Sequence, residues 1–306
     1  MQNKKIEANL SMALSKIFNG LNMNALKYLM PLWISPLSGA TLRCTFGAVA
    51  FWLIGCFTSK EKVPNNVKVK LILLGAFGLY GFMFFYLIGL NKTTPVSCSI
   101  FTSMEPIWVF LIMVFFFREK PTTRKILGIA VGFSGALVCI LTQRSDDLAS
   151  DAMMGNIFCM LCSLLYSIYL VMSHQFLNKV GSIALMKYAF LGGALMSLIV
   201  SSFMGFDAKV LIPPLEKIPF LVLMFVLIFP TTISYLLLPI GLKYLNTTVV
   251  ALYGYLILIV ATITSLALGQ DRFNWPQTIA MIAICVSMYL VEGAERKNKA
   301  TTPAAT

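Results

Sequence analysis

Charge is scarce in this sequence. Only 12% of its 306 residues are Asp, Glu, Lys or Arg, about half the share typical of a soluble domain. Acidic residues are the scarcer kind, 12 against 24 basic ones, and histidine occurs once. Long polar connections are lacking as well, the longest being about a dozen residues. These shortages exclude a disordered chain and a small disulfide-stapled secreted domain. With no phosphate loop, no paired-carboxylate motif and no metal-ligand cluster, neither ATP-driven chemistry nor an enzymatic site can be assembled, and no cofactor or metal is implied. The formal net charge of +12 invites a nucleic-acid reading, which the placement of the charges then excludes.

What the chain has in abundance is apolar length. Hydrophobic residues make up 58% of it and the mean hydropathy is +0.82. A membrane helix needs about 20 mainly apolar residues to satisfy its backbone internally across roughly 30 Å of hydrocarbon. Ten windows qualify, at 9–30, 36–58, 69–90, 94–117, 123–142, 153–175, 183–206, 217–241, 246–269 and 275–293. Turn formers separate them, among them Pro31, Pro36, Pro64-Asn65-Asn66, Pro121 and Pro213-Pro214. The first window is the least apolar, because Lys16, Asn19, Asn22 and Asn24 interrupt it. It also lacks a small-residue cleavage site, so no signal peptide is expected there. All seven cysteines fall within predicted spans and are expected to be free thiols.

Positive residues near span ends mark the cytoplasmic side. With the N-terminus inside, sixteen Lys and Arg fall on the inner face, including Lys60, Lys62, Lys68, Lys70, Arg118, Lys120, Arg124, Lys125, Arg296, Lys297 and Lys299. Six fall outside: Lys27, Lys92, Arg144, Lys209, Lys217 and Arg272. The bias predicts both termini in the cytoplasm and turns the net charge into a topology signal.

Ten spans divide into two sets of five, and an odd number inverts the second set relative to the first. Shifting the chain on itself by 152 residues places Ser11 on Ser163, Ser15 on Ser167, Asn22 on His174 and Gly89-Leu90 on Gly241-Leu242. This predicts an all-α integral membrane protein of ten transmembrane helices as two inverted five-helix repeats, residues 1–146 and 147–299, with a tail at 300–306. Such folds place substrate near the midplane.

The runs GLNM at 20–23, ISPLSGATLR at 34–43, GLNKTTPVS at 89–97, EPIWVFLIMVFFFREKPTTRKILGIAVGFSGALV at 105–138 and GNIFCMLCSLLYSIYLV at 155–171 resemble bacterial transporters of the EamA type, in the drug/metabolite transporter superfamily. The resemblance covers nearly the whole chain. The ninth span departs from it, lacking the family's usual proline and ending Gly269-Gln270-Asp271. The resemblance implies an inner-membrane permease, commonly an exporter of amino acids, other metabolites or drugs, working by alternating access around a cavity between the halves.

Ionisable side chains in the bilayer core are functional by default. Three qualify: Lys16, Arg43 and Glu105. Glu105 lies about 11 residues into its span, roughly 16 Å deep, and Pro106 after it frees a carbonyl one turn earlier. Thr94, Cys98, Phe101, Thr102, Glu105 and Trp108 share its helical face. Glu105 binds a proton or a substrate ammonium on one reading; on the other it forms a structural ion pair with Lys16 or Arg43. Burial and a cationic partner act on a carboxyl in opposite senses, which leaves both charge states open. Ser11, Ser15, Asn19 and Asn22 form a polar stripe on the first span; Asn156, Ser163, Tyr166, Ser167 and His174 form one on the sixth. Spans one and six are therefore expected to supply facing polar walls, although hydroxyls and amides in spans also simply join helices. Thr231, Thr232 and Tyr235 follow Pro230 and can use the carbonyl it frees; Tyr253 and Tyr255 are aromatic candidates for the chamber, and Tyr253 lies on the face corresponding to that of Glu105. The expected substrate-binding set is Ser15, Asn19, Asn22, Phe101, Thr102, Glu105, Trp108, Ser163, Tyr166, Ser167 and Tyr253, with Glu105 also the ion-coupling group.

Two motifs point elsewhere. Gly132-Phe133-Ser134-Gly135 spells an intramembrane protease motif, but the only histidine, His174, falls near the end of another span. Cys159 and Cys162 have redox spacing but lie inside a span. The expected function is secondary transport of a small metabolite, amino acid or drug-like solute across a bacterial inner (cytoplasmic) membrane, in the export direction, with coupling to protons through Glu105. The expected partners are a small-molecule substrate, the lipid bilayer and protons; no nucleic acid is expected, and the oligomeric state is left open. The alternatives are an uncoupled facilitator and a non-transporting membrane sensor or scaffold.

Overall fold

The computed structural model describes residues 2–30, 32–58, 62–118, 123–141, 151–245, 250, 253–276, 278–283, 285–287 and 289–290. The expected boundary at 146/147 and the tail at 300–306 lie outside the described residues, as does the side chain of Tyr255. Every regular element among the described residues is helical. In chain order these are α1 (Gln2–Leu29), α2 (Pro36–Cys56), α3 (Asn65–Lys92), α4 (Pro95–Phe117), α5 (Thr123–Leu141), α6 (Ala152–Leu177), α7 (Ser182–Met204), α8 (Lys217–Tyr244), α9 (Gly254–Ala267) and α10 (Thr278–Ser287). Six of them, α2, α3, α4, α6, α7 and α8, are long and apolar enough to cross a membrane. α1 has the length, at 28 residues, but its lysines and asparagines dilute it. It begins at Gln2, well before the expected residue 9, because helical periodicity does not stop where hydropathy does. The described parts of α9 and α10 are shorter than the expected windows.

Local chemistry sets the helix ends. Ser35 caps α2, its Oγ accepting from Ser38 N at 3.2 Å with Pro36 just inside the helix. Thr94 and Pro95 repeat the arrangement at α4. In both, a side-chain oxygen meets an orphan N–H and proline stands where no donor is needed. α3 ends on a cation: Lys27 Nζ of α1 donates to the carbonyls of Leu90, Asn91 and Thr93 at 3.0, 3.1 and 2.6 Å, a match to the negative end of a helix dipole.

The burial pattern is inverted relative to a soluble protein. Phe116 and Phe203 are 81% and 84% exposed, whereas Lys16, Arg43 and Glu105 are each 2% exposed. Large apolar groups outside and charges inside fit a hydrocarbon solvent.

α2 packs most extensively on α7 and α3 on α6. α1 packs on α8 and α9, α6 also on α4, and α4 on α9. Glycines allow the closest approach, between α3 and α7. A Cβ on Gly75 would collide with the Ala189 carbonyl, and one on Gly192 with the Ile72 carbonyl, so the two backbones touch where side chains would hold them apart. In α5, Gly132 faces Ile107 and Ser287, and Gly135 faces Ala283, packing α5 on α4 and α10. Three turns among the described residues are irregular. α4 breaks between Thr102 and Glu105, and the helix widens to π geometry at Leu74–Leu79 in α3 and Leu227–Ile233 in α8.

Because the atoms opposing Gly192 are backbone, they cannot rotate away. Gly192→Val is expected to cost about 1–3 kcal/mol through overpacking, read as a lower apparent melting temperature and a poorer yield of monodisperse protein. Gly254→Ala, where an added Cβ meets nothing within 4 Å, is expected to melt at or above the wild-type temperature.

Candidate functional site

The site begins with two prolines. Pro106 has no N–H, so the Thr102 carbonyl one turn earlier loses its helical donor. α4 stops at Thr102 and restarts at Glu105. α6 fills the gap: Ser163 Oγ donates to the Thr102 carbonyl at 3.4 Å, while Ser167 Oγ lies 2.8 Å from the Ser163 carbonyl of its own helix and 3.2 Å from the Glu105 carbonyl. The break puts Glu105 in the first turn of the second half-helix, where the dipole favours negative charge. In α8, Pro230 likewise frees the Val226 carbonyl. Thr231 Oγ1 donates to that carbonyl at 2.8 Å and Thr232 Oγ1 to Leu227 O at 3.0 Å. The Thr231 oxygen, its own proton committed, then accepts from Arg43 Nε at 2.9 Å.

Lys16 is the ion-pair partner of Glu105, Nζ to Oε2 at 3.1 Å. The Lys16 ammonium also sits 5.2 Å from the centroid of the Tyr166 ring, a cation–π contact. Arg43, the other cation expected as a partner, forms no ion pair among the described residues, and its contact is Thr231. Three buried atoms here lack a protein hydrogen-bond partner: Glu105 Oε1, Arg43 Nη1 and Asn22 Oδ1.

These groups surround a cavity of about 70 Å³. α1 supplies Ser15, Lys16, Asn19, Asn22 and Met23; α2 supplies Arg43; α4 supplies Thr102 and Glu105; α6 supplies Cys162, Ser163 and Tyr166. α3 adds Phe82 and Tyr86, α8 adds Ser234, Tyr235 and Leu238, and α9 adds Ile257. α1 and α6 face each other across this space while each packs chiefly on other helices. Ser15 and Ser234 tie α1 to α8 reciprocally, each Oγ donating to the other's carbonyl at 3.2 Å. Asn19 Nδ2 donates to the Ser15 carbonyl at 2.8 Å.

Four residues of the expected set lie outside the lining. Phe101 is fully buried in the core, and Trp108 packs edge-on against Phe133 at 5.5 Å. Ser167 turns toward α4, and Tyr253 OH donates to Asn9 Oδ1 at 2.7 Å. Sequence reasoning left Phe82, Tyr86, Ser234, Leu238 and Ile257 unassigned. For Ser234 the signal was its place in the turn after Pro230; the others read as ordinary apolar span residues.

Of the two misleading motifs, the serine one stays outside the lining, whereas Cys162 of the other lines the cavity as a free thiol. Ser134 is exposed and donates to the Val131 carbonyl at 2.8 Å. Cys159 lies beside Cys98, sulfur to sulfur 3.1 Å, both free and buried. Among the described residues, no three of His, Cys, Asp and Glu gather as metal ligands.

The sequence profile of the EamA-like transporter family matches residues 7–141 and again 153–292. The protein named "uncharacterized transporter YyaM" of Bacillus subtilis is 25% identical over 294 residues, 94% of this chain and 93% of that one. An Archaeoglobus fulgidus protein named as an uncharacterized transporter is 27% identical over 184 residues, 60% of this chain and 63% of that one. One solved crystal structure shares the fold, with a TM-score of 0.66 over 98% of this chain and 99% of the other at 18% identity.

Removing one partner of a buried ion pair strands the other charge. Lys16→Met is therefore expected to destabilise the protein by about 3–5 kcal/mol, and Lys16→Met with Glu105→Gln to recover most of that loss. A thermal melt of the two single variants and the double variant measures the coupling; additive losses would mean that the charges do not depend on each other.

Proposed function

The chain belongs to the EamA-like transporter family, and on that premise we propose that it is a secondary transporter that exports a small metabolite, amino acid or drug-like solute by alternating access. It is a multi-pass membrane protein of a transporter family rather than an enzyme family. The observation that carries the proposal is the cavity, which holds Lys16, Arg43 and Glu105 inside an apolar bundle and whose walls come from helices of both profile-matched segments.

The packing supports ten spans arranged as two inverted five-helix halves, 1–146 and 147–299. Exchanging α1–α5 with α6–α10 turns the α1·α8 contact into α6·α3, turns α1·α9 into α6·α4, and returns α2·α7 and α4·α9 to themselves. The π turns at Leu74–Leu79 and Leu227–Ile233 fall at equivalent places under the same exchange. A cavity of about 70 Å³ holds only a few waters. A metabolite-sized solute needs more room than that, and parting of the halves in alternating access supplies it. The relative in Bacillus subtilis and the bias of Lys and Arg support a bacterial cytoplasmic membrane with both termini inside.

Proton coupling is assigned to Glu105, whose Oε1 is unpartnered at the cavity. A second reading, an uncoupled facilitator, is favoured by the Lys16 contact that already occupies Oε2. Metabolite profiles of cells with and without the protein test transport itself: at least one solute is expected to change its distribution across the membrane, and identical profiles would refute the reading. In proteoliposomes loaded with that solute, Glu105→Gln is expected to abolish the response to a pH gradient while keeping downhill flux. An unchanged response would remove Glu105 from coupling.

A further inference from the structure

We propose that the cavity selects solutes bearing a single carboxylate, with Arg43 as the group that holds it. The inference rests on the transport reading above and adds the chemical class of the solute. Among the described residues, the charged groups lining the cavity are Lys16, Arg43 and Glu105. Lys16 and Glu105 neutralise each other at 3.1 Å, so one positive charge remains. That charge belongs to a guanidinium 2% exposed, held at Nε by Thr231 and unpartnered at Nη1. Burying an ion without a counter-charge is costly, and removing its partner from a buried pair is strongly destabilising. A structural role alone would leave that cost standing.

A carboxylate answers both halves of the problem. It supplies one negative charge and accepts two parallel N–H bonds from the planar fork of an arginine. A phosphate dianion would leave an excess negative charge in a space with one free cation among the described residues. The rest of the wall fits an organic skeleton behind the carboxylate: Phe82, Tyr86, Tyr235 and Leu238 are aromatic or apolar. Thr231 keeps the guanidinium in place through a hydroxyl already fixed on the Val226 carbonyl, so the fork is oriented before the solute arrives.

The test compares carboxylates with their primary amides on purified wild-type protein: acetate with acetamide, hexanoate with hexanamide, and benzoate with benzamide. Sodium chloride and inorganic phosphate at matched ionic strength serve as controls. At least one carboxylate is expected to raise the apparent melting temperature saturably while its amide does not. Its affinity is expected to fall about tenfold or more in Arg43→Gln and to be partly kept in Arg43→Lys. Equal effects of acid and amide, no effect of any acid, the same effect from chloride or phosphate, or undiminished affinity in Arg43→Gln would each overturn the proposal. The acid–amide comparison needs only the wild-type protein, so it stands if a variant fails to fold. Cell profiles in which every transported solute lacks a carboxylate would overturn this inference and leave transport intact. Profiles without any transported solute would refute transport while carboxylate binding by the purified protein remained.

Discussion

Hydrocarbon has no water to lend, so a backbone carbonyl that loses its helical donor inside a membrane must find another, on a side chain or through a local π adjustment of its own helix. Two prolines impose that requirement here, and much of the interior follows from how it is met. Pro106 frees the Thr102 carbonyl, which Ser163 meets across the α4–α6 contact. Pro230 frees the Val226 carbonyl, which Thr231 meets within α8. Each repair fixes an ionisable group. The first leaves Glu105 at the start of a half-helix, and the second gives Arg43 an oxygen to lean on. The backbone defects and the buried charges are thus one system.

Electrostatics ranks the three charges. An ion pair in a low-dielectric interior recovers its desolvation cost only with close geometry and further polar contacts. Lys16 has both, with Glu105 at 3.1 Å and the Tyr166 ring beneath it. Arg43 has a hydroxyl and no counter-ion among the described residues. The arrangement therefore resolves the two partners that the sequence offered for Glu105 into one neutral pair and one excess cation, and the excess cation sets the sign of the cavity.

Hydropathy alone located the helices well, because apolar length is the property a bilayer demands and the sequence displays it directly. α6 and α7 match their windows to within a few residues at each end. The start of α1 was not legible, since a helix can run on into water past its apolar part. The break in α4 was half legible: Pro106 announced a freed carbonyl, but not that the helix would stop and restart. The π turn at Leu74–Leu79 had no proline to announce it. It lies where Gly75 and Gly192 bring α3 and α7 into backbone contact, a matter of tertiary register that one strand of letters does not encode. The link from Arg43 to Thr231 spans 188 positions and had no periodic signal at all.

Helical periodicity also could not distinguish polar side chains that hold helices together from those left unpartnered at the cavity, because both kinds sit on the same stripe. Hydrogen-bond satisfaction separates them. Ser15 and Ser234 satisfy each other's backbones, and Ser167 and Asn19 bond carbonyls of their own helices. Each is fully explained by packing. Glu105 Oε1, Arg43 Nη1 and Asn22 Oδ1 are not, since no protein group meets them. A buried polar atom left unmet costs about 1–3 kcal/mol, and these three border one small cavity in which water or a solute can meet them. They present one cationic donor and two acceptors to a common space, and a bound solute of complementary chemistry would offset that cost.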